Sequence, residues 1–155
     1  MKILFVCTGN TCRSPLAEAI ARKIAIERGL ADLDVASAGT SAWEGAPASD
    51  GSLLVGLEHG LDLSVHRAQM LSPELVAAAD VVLAMGPHHL ERVEALGGSN
   101  AWTLVGYASH GKTDRAISDP VGAELSVYRA TYDELDREIR RALDRLTADR
   151  PSRGP

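Results

Sequence analysis

The 155-residue chain has few aromatic residues, only two cysteines and no long apolar run. Phenylalanine, tryptophan and tyrosine together make up 4% of its residues. Two cysteines cannot build a disulfide-rich scaffold, and no apolar stretch approaches the roughly 18 residues that a membrane-spanning helix needs. Since 45% of the residues are hydrophobic, we expect a soluble domain that is stabilised by an apolar core.

The chain also lacks an excess of basic residues. It carries 21 acidic and 16 basic side chains, which gives a formal net charge of −5. Proteins that bind nucleic acids or anionic membranes usually have basic surfaces, so we expect neither partner. A small anionic substrate remains compatible with this composition, because a local site can be positive inside an acidic protein.

The first residues indicate a strand rather than a signal peptide. Met1 and Lys2 precede a short apolar run that ends in a loop, without the longer apolar core and cleavage site of a secretory signal. We therefore expect a cytoplasmic protein. In that reducing compartment two cysteines are more often reactive than structural.

Short apolar runs alternate with segments of helical periodicity along the chain. The runs predict four buried strands at residues 2–6, 33–36, 80–85 and 102–105. Apolar residues at helical spacing predict helices at residues 15–28, 53–60, 73–79, 88–96 and 123–146. We expect an α/β fold with a four-stranded parallel sheet in the flavodoxin-like order 2-1-3-4 and helices on both faces. Residues 1–147 are predicted to form a single domain, residues 106–121 an irregular loop, and residues 148–155 a flexible tail.

Both cysteines lie in one short segment, CTGNTCRSP, between the first strand and the first helix. Ligands of open parallel sheets bind beyond the carboxyl ends of the strands. Free backbone N–H groups and the helix dipole make such a helix N-terminus an anion site. Gly9 and Asn10 tolerate left-handed backbone, and Arg13 offers a planar fork that matches phosphate oxygens.

This setting favours a reactive thiolate at Cys7. Helix N-termini and nearby cations stabilise a thiolate, and Ser14 can donate a hydrogen bond to it. A cysteine nucleophile facing an anion cradle is suited to phosphoryl transfer through a phosphocysteine. The alternative is a structural cysteine at a strand end. A zinc site is disfavoured, because neither the spacing of Cys7 and Cys12 nor the adjacent His88 and His89 is typical of zinc ligands.

Three further predictions concern residues around this loop. The leaving atom needs a proton, for which the residues alone favour Asp119 only slightly over Asp114, because Asp-Pro often marks a turn. Cys12 is either a small buried filler or the partner of Cys7 in a reversible, protective disulfide. The remaining histidines are expected to be surface or helix-cap residues, namely His59, His88, His89 and His110.

The segment CTGNTCRSPLAEA resembles the active-site loop of the low-molecular-weight protein tyrosine phosphatase family. Further family motifs follow in order and spacing, so the resemblance covers nearly the whole chain. They are Ser37-Ala38-Gly39, His66-Arg67, the strand DVVLAM and Asp119-Pro120. The resemblance implies a cysteine-dependent protein phosphatase that needs no cofactor and no metal.

The resemblance also implies roles for individual residues. Cys7 would be the nucleophile, Arg13 would bind phosphate and stabilise the transition state, and Asp119 would be the general acid. The rest of the phosphate-binding loop would be Thr8, Gly9, Asn10, Thr11, Cys12 and Ser14. Ser37 and His66 would support the loop by bracing Asn10.

Three positions bear on the substrate. Thr11 and the Val121-Gly122 pair resemble the bacterial protein-arginine phosphatase branch of the family, whereas tyrosine-specific members carry a bulky aliphatic residue and tyrosines there. Trp43 would either stack on a phenol or a guanidinium group, or anchor its loop on the core. Phosphoarginine is the favoured substrate, and phosphotyrosine is the alternative.

Two other functions are less compatible with the sequence. Some arsenate reductases share this fold and loop, but their chemistry needs cysteines beyond Cys7 and Cys12. A phosphoresidue-binding module without activity would be expected to lack Cys7, Arg13 or Asp119, and all three are present. The expected partner is therefore a phosphorylated protein, with inorganic phosphate as product.

Overall fold

The computed structural model describes residues 1–149, which form a central parallel sheet with helices on both faces. The strands are β1 (Lys2–Cys7), β2 (Asp34–Gly39), β3 (Val81–Ala84) and β4 (Ala101–Thr103). Their order in the sheet is β2-β1-β3-β4, and all three pairings are parallel. The predicted fold class and strand order are confirmed.

Six helices surround this sheet in the described part of the chain. They are α1 (Arg13–Glu27), α2 (Asp50–Glu58), α3 (Pro73–Ala78), α4 (Pro87–Ala95), α5 (Leu104–Ala108) and α6 (Leu125–Asp149). Ser72 caps the start of α3, since its side chain accepts a hydrogen bond from the Leu75 N–H. Among residues 1–149, no helix combines the length and apolar character that a bilayer crossing requires.

Strand β1 is buried on both faces, because it lies in the middle of the sheet. Ile3 and Phe5 pack into a core with residues of α1, α2, α5 and α6. Leu4 and Val6 point to the opposite face and pack with residues of α3 and α4. The alternating directions of strand side chains explain why the whole run is apolar. As a result, Cys7 is held rigidly at the carboxyl end of the central strand.

Strand β2 is longer than expected, and its extra residues reach the end of β1. It continues through Ser37 and Ala38 to Gly39, which pairs with Cys7. These small residues carry little strand signal, and for that reason the sequence predicted an end at residue 36. The extension brings Ser37 close to the loop that follows β1.

Helix α5 was missed, because residues 102–108 were expected to finish a strand and enter an irregular loop. The Thr103 hydroxyl accepts a hydrogen bond from the Gly106 N–H at 2.9 Å and so begins a helix after only three strand residues. A Cβ atom at position 106 would lie 2.5 Å from that hydroxyl oxygen. Glycine therefore permits this tight capping turn.

The long C-terminal helix was predicted correctly as an amphipathic helix. Helix α6 packs against α1 and α5 through apolar residues such as Leu135, Ile139 and Leu143, all fully buried. It begins at Leu125 and continues to Asp149. Residues 150–155 of the expected flexible tail lie outside the described residues.

Candidate active site

A cleft of about 180 Å³ lies at the carboxyl end of β1. It brings the loop after β1 together with residues that are more than a hundred positions away in the chain. Its lining residues are Cys7, Thr8, Gly9, Thr11, Cys12, Arg13, Asp119 and Val121. Asp114, the other acidic candidate, is exposed and does not line the cleft.

The sulfur of Cys7 faces a hydroxyl group that is oriented toward it. Cys7 is 2% exposed, and its Sγ lies 2.9 Å from the Ser14 Oγ. The Asn10 side-chain amide donates to the same Ser14 oxygen at 2.8 Å. Since that amide group can only donate, the Ser14 O–H remains available for the sulfur. The geometry therefore allows the Ser14 hydroxyl group to donate to the Cys7 sulfur.

Asn10 adopts a left-handed backbone conformation, with φ at 56°, inside a network of hydrogen bonds. Its Nδ2 also donates to the Ser37 Oγ at 2.9 Å, and its Oδ1 accepts from the Gln69 N–H at 2.9 Å. The His66 Nε2–H donates to its carbonyl oxygen at 2.7 Å. These contacts offset the strain of a conformation that non-glycine residues rarely adopt. The structure thus brings Ser37 and His66 together at Asn10.

Glu18, Arg22 and Gln69 also belong to this network and were not found from the sequence. The Ser37 hydroxyl donates to the Glu18 carboxylate at 2.9 Å, and the Arg22 guanidinium lies 2.6 Å from the same carboxylate. Gln69 contributes its backbone N–H to Asn10 and its side-chain amide to the Ser37 carbonyl. Apart from Glu18 and Arg22, which lie one turn apart on α1, these contacts join residues that are far apart in the sequence, and no local pattern marks them.

Arg13 connects the loop after β1 to the segment that carries Asp119. The Arg13 side chain is buried, and its Nη1 donates to the Ile117 carbonyl at 3.0 Å. Its Nη2 lies 3.4 Å from the Asp119 Oδ2. The Asp119 Oδ1 accepts from the Val121 N–H at 3.1 Å, which fixes the carboxyl group in its turn. One guanidinium and one carboxyl group therefore lie together beside the thiol.

Cys12, the second cysteine, is buried and lines the same cleft. Its thiol donates to the Ser49 Oγ at 3.3 Å and lies 3.4 Å from the Tyr128 Oη. Burial, reinforced by the hydrogen bond with Cys12, raises the pKa of Tyr128. Both cysteines are free thiols. A reversible Cys7–Cys12 disulfide stays a prediction.

The residues expected to select the substrate occupy different places. Thr11 and Val121 line the cleft, and Val121 is exposed. Trp43 lies outside the lining, and 85% of its surface is exposed. The alternative in which Trp43 anchors its loop on the core is therefore wrong. An aromatic side chain with such exposure is available for contacts with another molecule.

His89 was expected at the surface or as a helix cap, and both expectations were wrong, since the N-cap of α4 is Gly86 and, within residues 1–149, no side chain caps this helix. His89 is completely buried, and its Nε2 lies 2.8 Å from the Thr8 Oγ1. Desolvation by burial, together with the positive charges of His88 and Arg13, lowers the pKa of His89 to about 4. His59, His88 and His110 are exposed, as expected.

This shift predicts a pH dependence of stability. Between pH 6.5 and pH 4 the unfolded chain binds a proton at residue 89 that the folded chain does not, so stability is lost as the pH falls. From pH 7 to pH 5, the free energy of unfolding should fall about 2 kcal/mol more in the wild type than in His89→Gln. Urea denaturation at both pH values measures this difference. An equal fall in the free energy of unfolding of the two proteins would contradict the lowered pKa of His89.

Comparison with known proteins agrees with this geometry. Residues 2–152 match the family described as low molecular weight phosphotyrosine protein phosphatase. The chain belongs to this family and is a cysteine-dependent protein phosphatase, whose substrates are phosphorylated proteins and whose product is phosphate.

Three relatives illustrate the range of the family. The protein-arginine-phosphatase of Bacillus subtilis is 37% identical over 153 residues, which cover 97% of this chain and 99% of the relative. The low molecular weight protein-tyrosine-phosphatase PtpB of Staphylococcus epidermidis is 41% identical over 138 residues, covering 87% and 91%. A solved structure of the arginine phosphatase YwlE, a mutant with a phosphorylated active-site serine, has a TM-score of 0.89 at 35% identity and covers 97% of this chain and 98% of its own.

Proposed function

We propose that this phosphatase acts on phosphoarginine side chains of proteins, with Cys7 as nucleophile, Arg13 as phosphate ligand and Asp119 as general acid. The observation that carries the chemistry is the cleft itself, where the Cys7 sulfur, the Arg13 guanidinium and the Asp119 carboxyl group converge. The solved YwlE mutant with a phosphorylated active-site serine supports a covalent route in this family. A catalytic thiol needs a reducing compartment, so we also infer a cytoplasmic location.

The first step transfers the phosphoryl group to the enzyme. The Cys7 thiolate attacks phosphorus and forms an S–P bond, while the bond from phosphorus to the leaving nitrogen breaks. Asp119 gives its proton to that nitrogen, so that arginine leaves with a neutral nitrogen at the broken bond. Arg13 and the loop N–H groups stabilise the charge on the phosphoryl oxygens, and the reaction therefore needs no metal.

The second step releases phosphate. Water attacks the phosphorus of phosphocysteine, and the Asp119 carboxylate accepts the proton that the water loses. The S–P bond breaks, Cys7 returns as a thiolate, which Ser14 stabilises, and inorganic phosphate leaves. The protonated Asp119 is then ready for the next substrate.

The preference for phosphoarginine rests on the cleft wall and on the relatives. The wall carries a small polar residue, Thr11, and a short aliphatic residue, Val121, and none of the residues among 1–149 that line it has an aromatic ring to stack on a phenol. A phosphoarginine side chain is thinner and carries N–H groups at its reacting end. The Bacillus subtilis relative is named a protein-arginine-phosphatase. Phosphotyrosine is the second candidate, because Trp43 is exposed and the Staphylococcus relative is named a protein-tyrosine-phosphatase.

The deciding experiment compares one peptide sequence that carries either phosphoarginine or phosphotyrosine. We expect kcat/KM to favour phosphoarginine at least ten-fold, which is about 1.4 kcal/mol of transition-state binding. The two peptides are measured with the same enzyme at the same pH. A kcat/KM that favours phosphotyrosine ten-fold or more would instead assign this chain to the tyrosine-specific members, with Trp43 as the platform for the ring.

Replacement of Thr11 by isoleucine tests the selectivity of the wall. We expect Thr11→Ile to lower kcat/KM for phosphoarginine about ten-fold or more and to leave kcat/KM for phosphotyrosine unchanged. The reason is that the larger apolar side chain narrows the cleft and removes a polar contact. Thr11→Val is the matched control, since it removes the hydroxyl group and keeps the volume. If Thr11→Ile changes both substrates equally, Thr11 does not select between them.

A further inference from the structure

A buried histidine holds the residue that follows the nucleophile. The His89 Nε2 lies 2.8 Å from the Thr8 Oγ1, although the two residues are 81 positions apart. His89 is completely buried, whereas the Thr8 side chain is exposed and lines the cleft. The contact therefore extends from the core of the protein directly into the cleft wall beside Cys7.

The ring of His89 lies on a rigid support. His89 is in the first turn of α4, and its backbone N–H donates to the Gly86 carbonyl at 3.1 Å. The ring of His88 packs against it with a centroid distance of 3.8 Å. Groups that position a site are most effective on regular elements of this kind.

The hydrogen-bonding capacity of the ring indicates where its proton lies. Among residues 1–149, the buried Nδ1 of His89 has no hydrogen-bond partner. Burial makes the ring neutral at pH 7, because it lowers the pKa of His89 to about 4. A neutral ring carries one proton, and an unpaired buried N–H group is rarer than an unpaired acceptor. The proton is therefore on Nε2, and the ring donates to the Thr8 oxygen.

We propose that His89 is a positioning residue that fixes the Thr8 hydroxyl group so that its O–H donates to a phosphoryl oxygen of the bound substrate. Because the His89 Nε2–H occupies a lone pair of the Thr8 oxygen, the Thr8 proton must point elsewhere, and the cleft is the open side. The inference rests on the proposed assignment of this cleft as the active site.

A double-mutant cycle tests this proposal with Thr8→Val, His89→Leu and the double variant. We expect each single variant to weaken the inhibition by inorganic phosphate about ten-fold and to raise KM similarly, with kcat within about two-fold of the wild type. This pattern is the expected result of losing one hydrogen bond to an anionic group that is made equally in ground and transition states. The double variant should bind inorganic phosphate no more weakly than either single variant, because the two substitutions remove the same interaction.

His89→Gln is the rescue variant, since its amide nitrogen can replace the Nε2–H donor, and we expect it to recover most of the phosphate affinity. Glu91→Gln is the control, because Glu91 is an exposed residue of the same helix α4. The proposal would be overturned if the loss of phosphate affinity in the double variant equalled the product of the losses in the two single variants. It would also be overturned if Thr8→Val bound phosphate with normal affinity. Normal Thr8→Val kinetics beside an inactive Cys7→Ser variant would leave the proposed function intact, whereas full activity of Cys7→Ser would refute the active-site assignment itself.

The tautomer provides a test that needs no variant. Nitrogen NMR of the wild type at pH 7, in the presence and absence of inorganic phosphate, should show His89 neutral and protonated at Nε2. Protonation at Nδ1 would overturn the proposal, because the Thr8 O–H would then be directed to the ring and not to the substrate.

Discussion

Replacement of Cys7 by serine is expected to reduce turnover of any phosphorylated substrate by a factor of about 10⁴ or more. A serine hydroxyl is a much weaker nucleophile than a thiolate and a much poorer leaving group from phosphorus. Inorganic phosphate should still bind with an affinity close to that of the wild type, because Arg13 and the loop N–H groups remain. Steady-state kinetics and phosphate titration measure the two effects separately.

Cys12 provides the matched control for this experiment. It lies in the same loop, is also buried and is also a free thiol. Cys12→Ser removes a thiol that contacts Ser49 and Tyr128 rather than the oriented Ser14 hydroxyl, so its loss of activity should be far smaller. Comparable losses in the two variants, or substantial turnover by Cys7→Ser, would contradict the assignment of the nucleophile.

Replacement of Asp119 by asparagine should slow the enzyme in a way that depends on the leaving group. Substrates whose leaving atom needs a proton, such as phosphoarginine, are expected to lose about 10² to 10⁴ in kcat/KM. Phosphate esters of acidic phenols should lose much less in their first step, because the phenolate leaves without a proton. A series of phenyl phosphates of graded acidity, compared with a phosphoarginine peptide, measures this dependence.

Asp114→Asn is the control, because Asp114 belongs to the same long segment but lies outside the cleft lining. We expect it to retain its activity on every substrate of the series. A uniform loss across leaving groups in Asp119→Asn would indicate that Asp119 only holds Arg13 in place, through the contact at 3.4 Å.

The sheet and the anion-binding loop were predictable from the sequence, because contiguous residues determine each strand and the loop. The apolar run of β1 and the segment CTGNTCRSP lie next to each other, and known rules place such a loop at the carboxyl end of the sheet. The choice between Asp119 and Asp114 could not be made in this way. It depends on how Arg13 and the Ile117 carbonyl dock the later segment, which is a tertiary contact.

Burial was the property that the sequence predicted least well. His89 follows an exposed histidine and a proline in a helix start, and that pattern is typical of a surface cap, yet its ring points into the core. Trp43, for which the sequence left both an exposed and a core-anchored position open, is almost fully exposed. In both cases the loop or helix position, fixed by distant contacts, overrides the usual preference of the residue type.

The most direct test of catalysis through a phosphocysteine at Cys7 is to detect the phosphoryl group on the enzyme during turnover. The wild-type enzyme is mixed with a phosphoarginine peptide, quenched rapidly in acid and analysed by mass spectrometry of its fragments. We expect one phosphoryl group on the fragment that contains Cys7, and none in the Cys7→Ala variant. A fully active enzyme with no phosphorylated fragment at any quench time, or with the phosphoryl group on another residue, would contradict it.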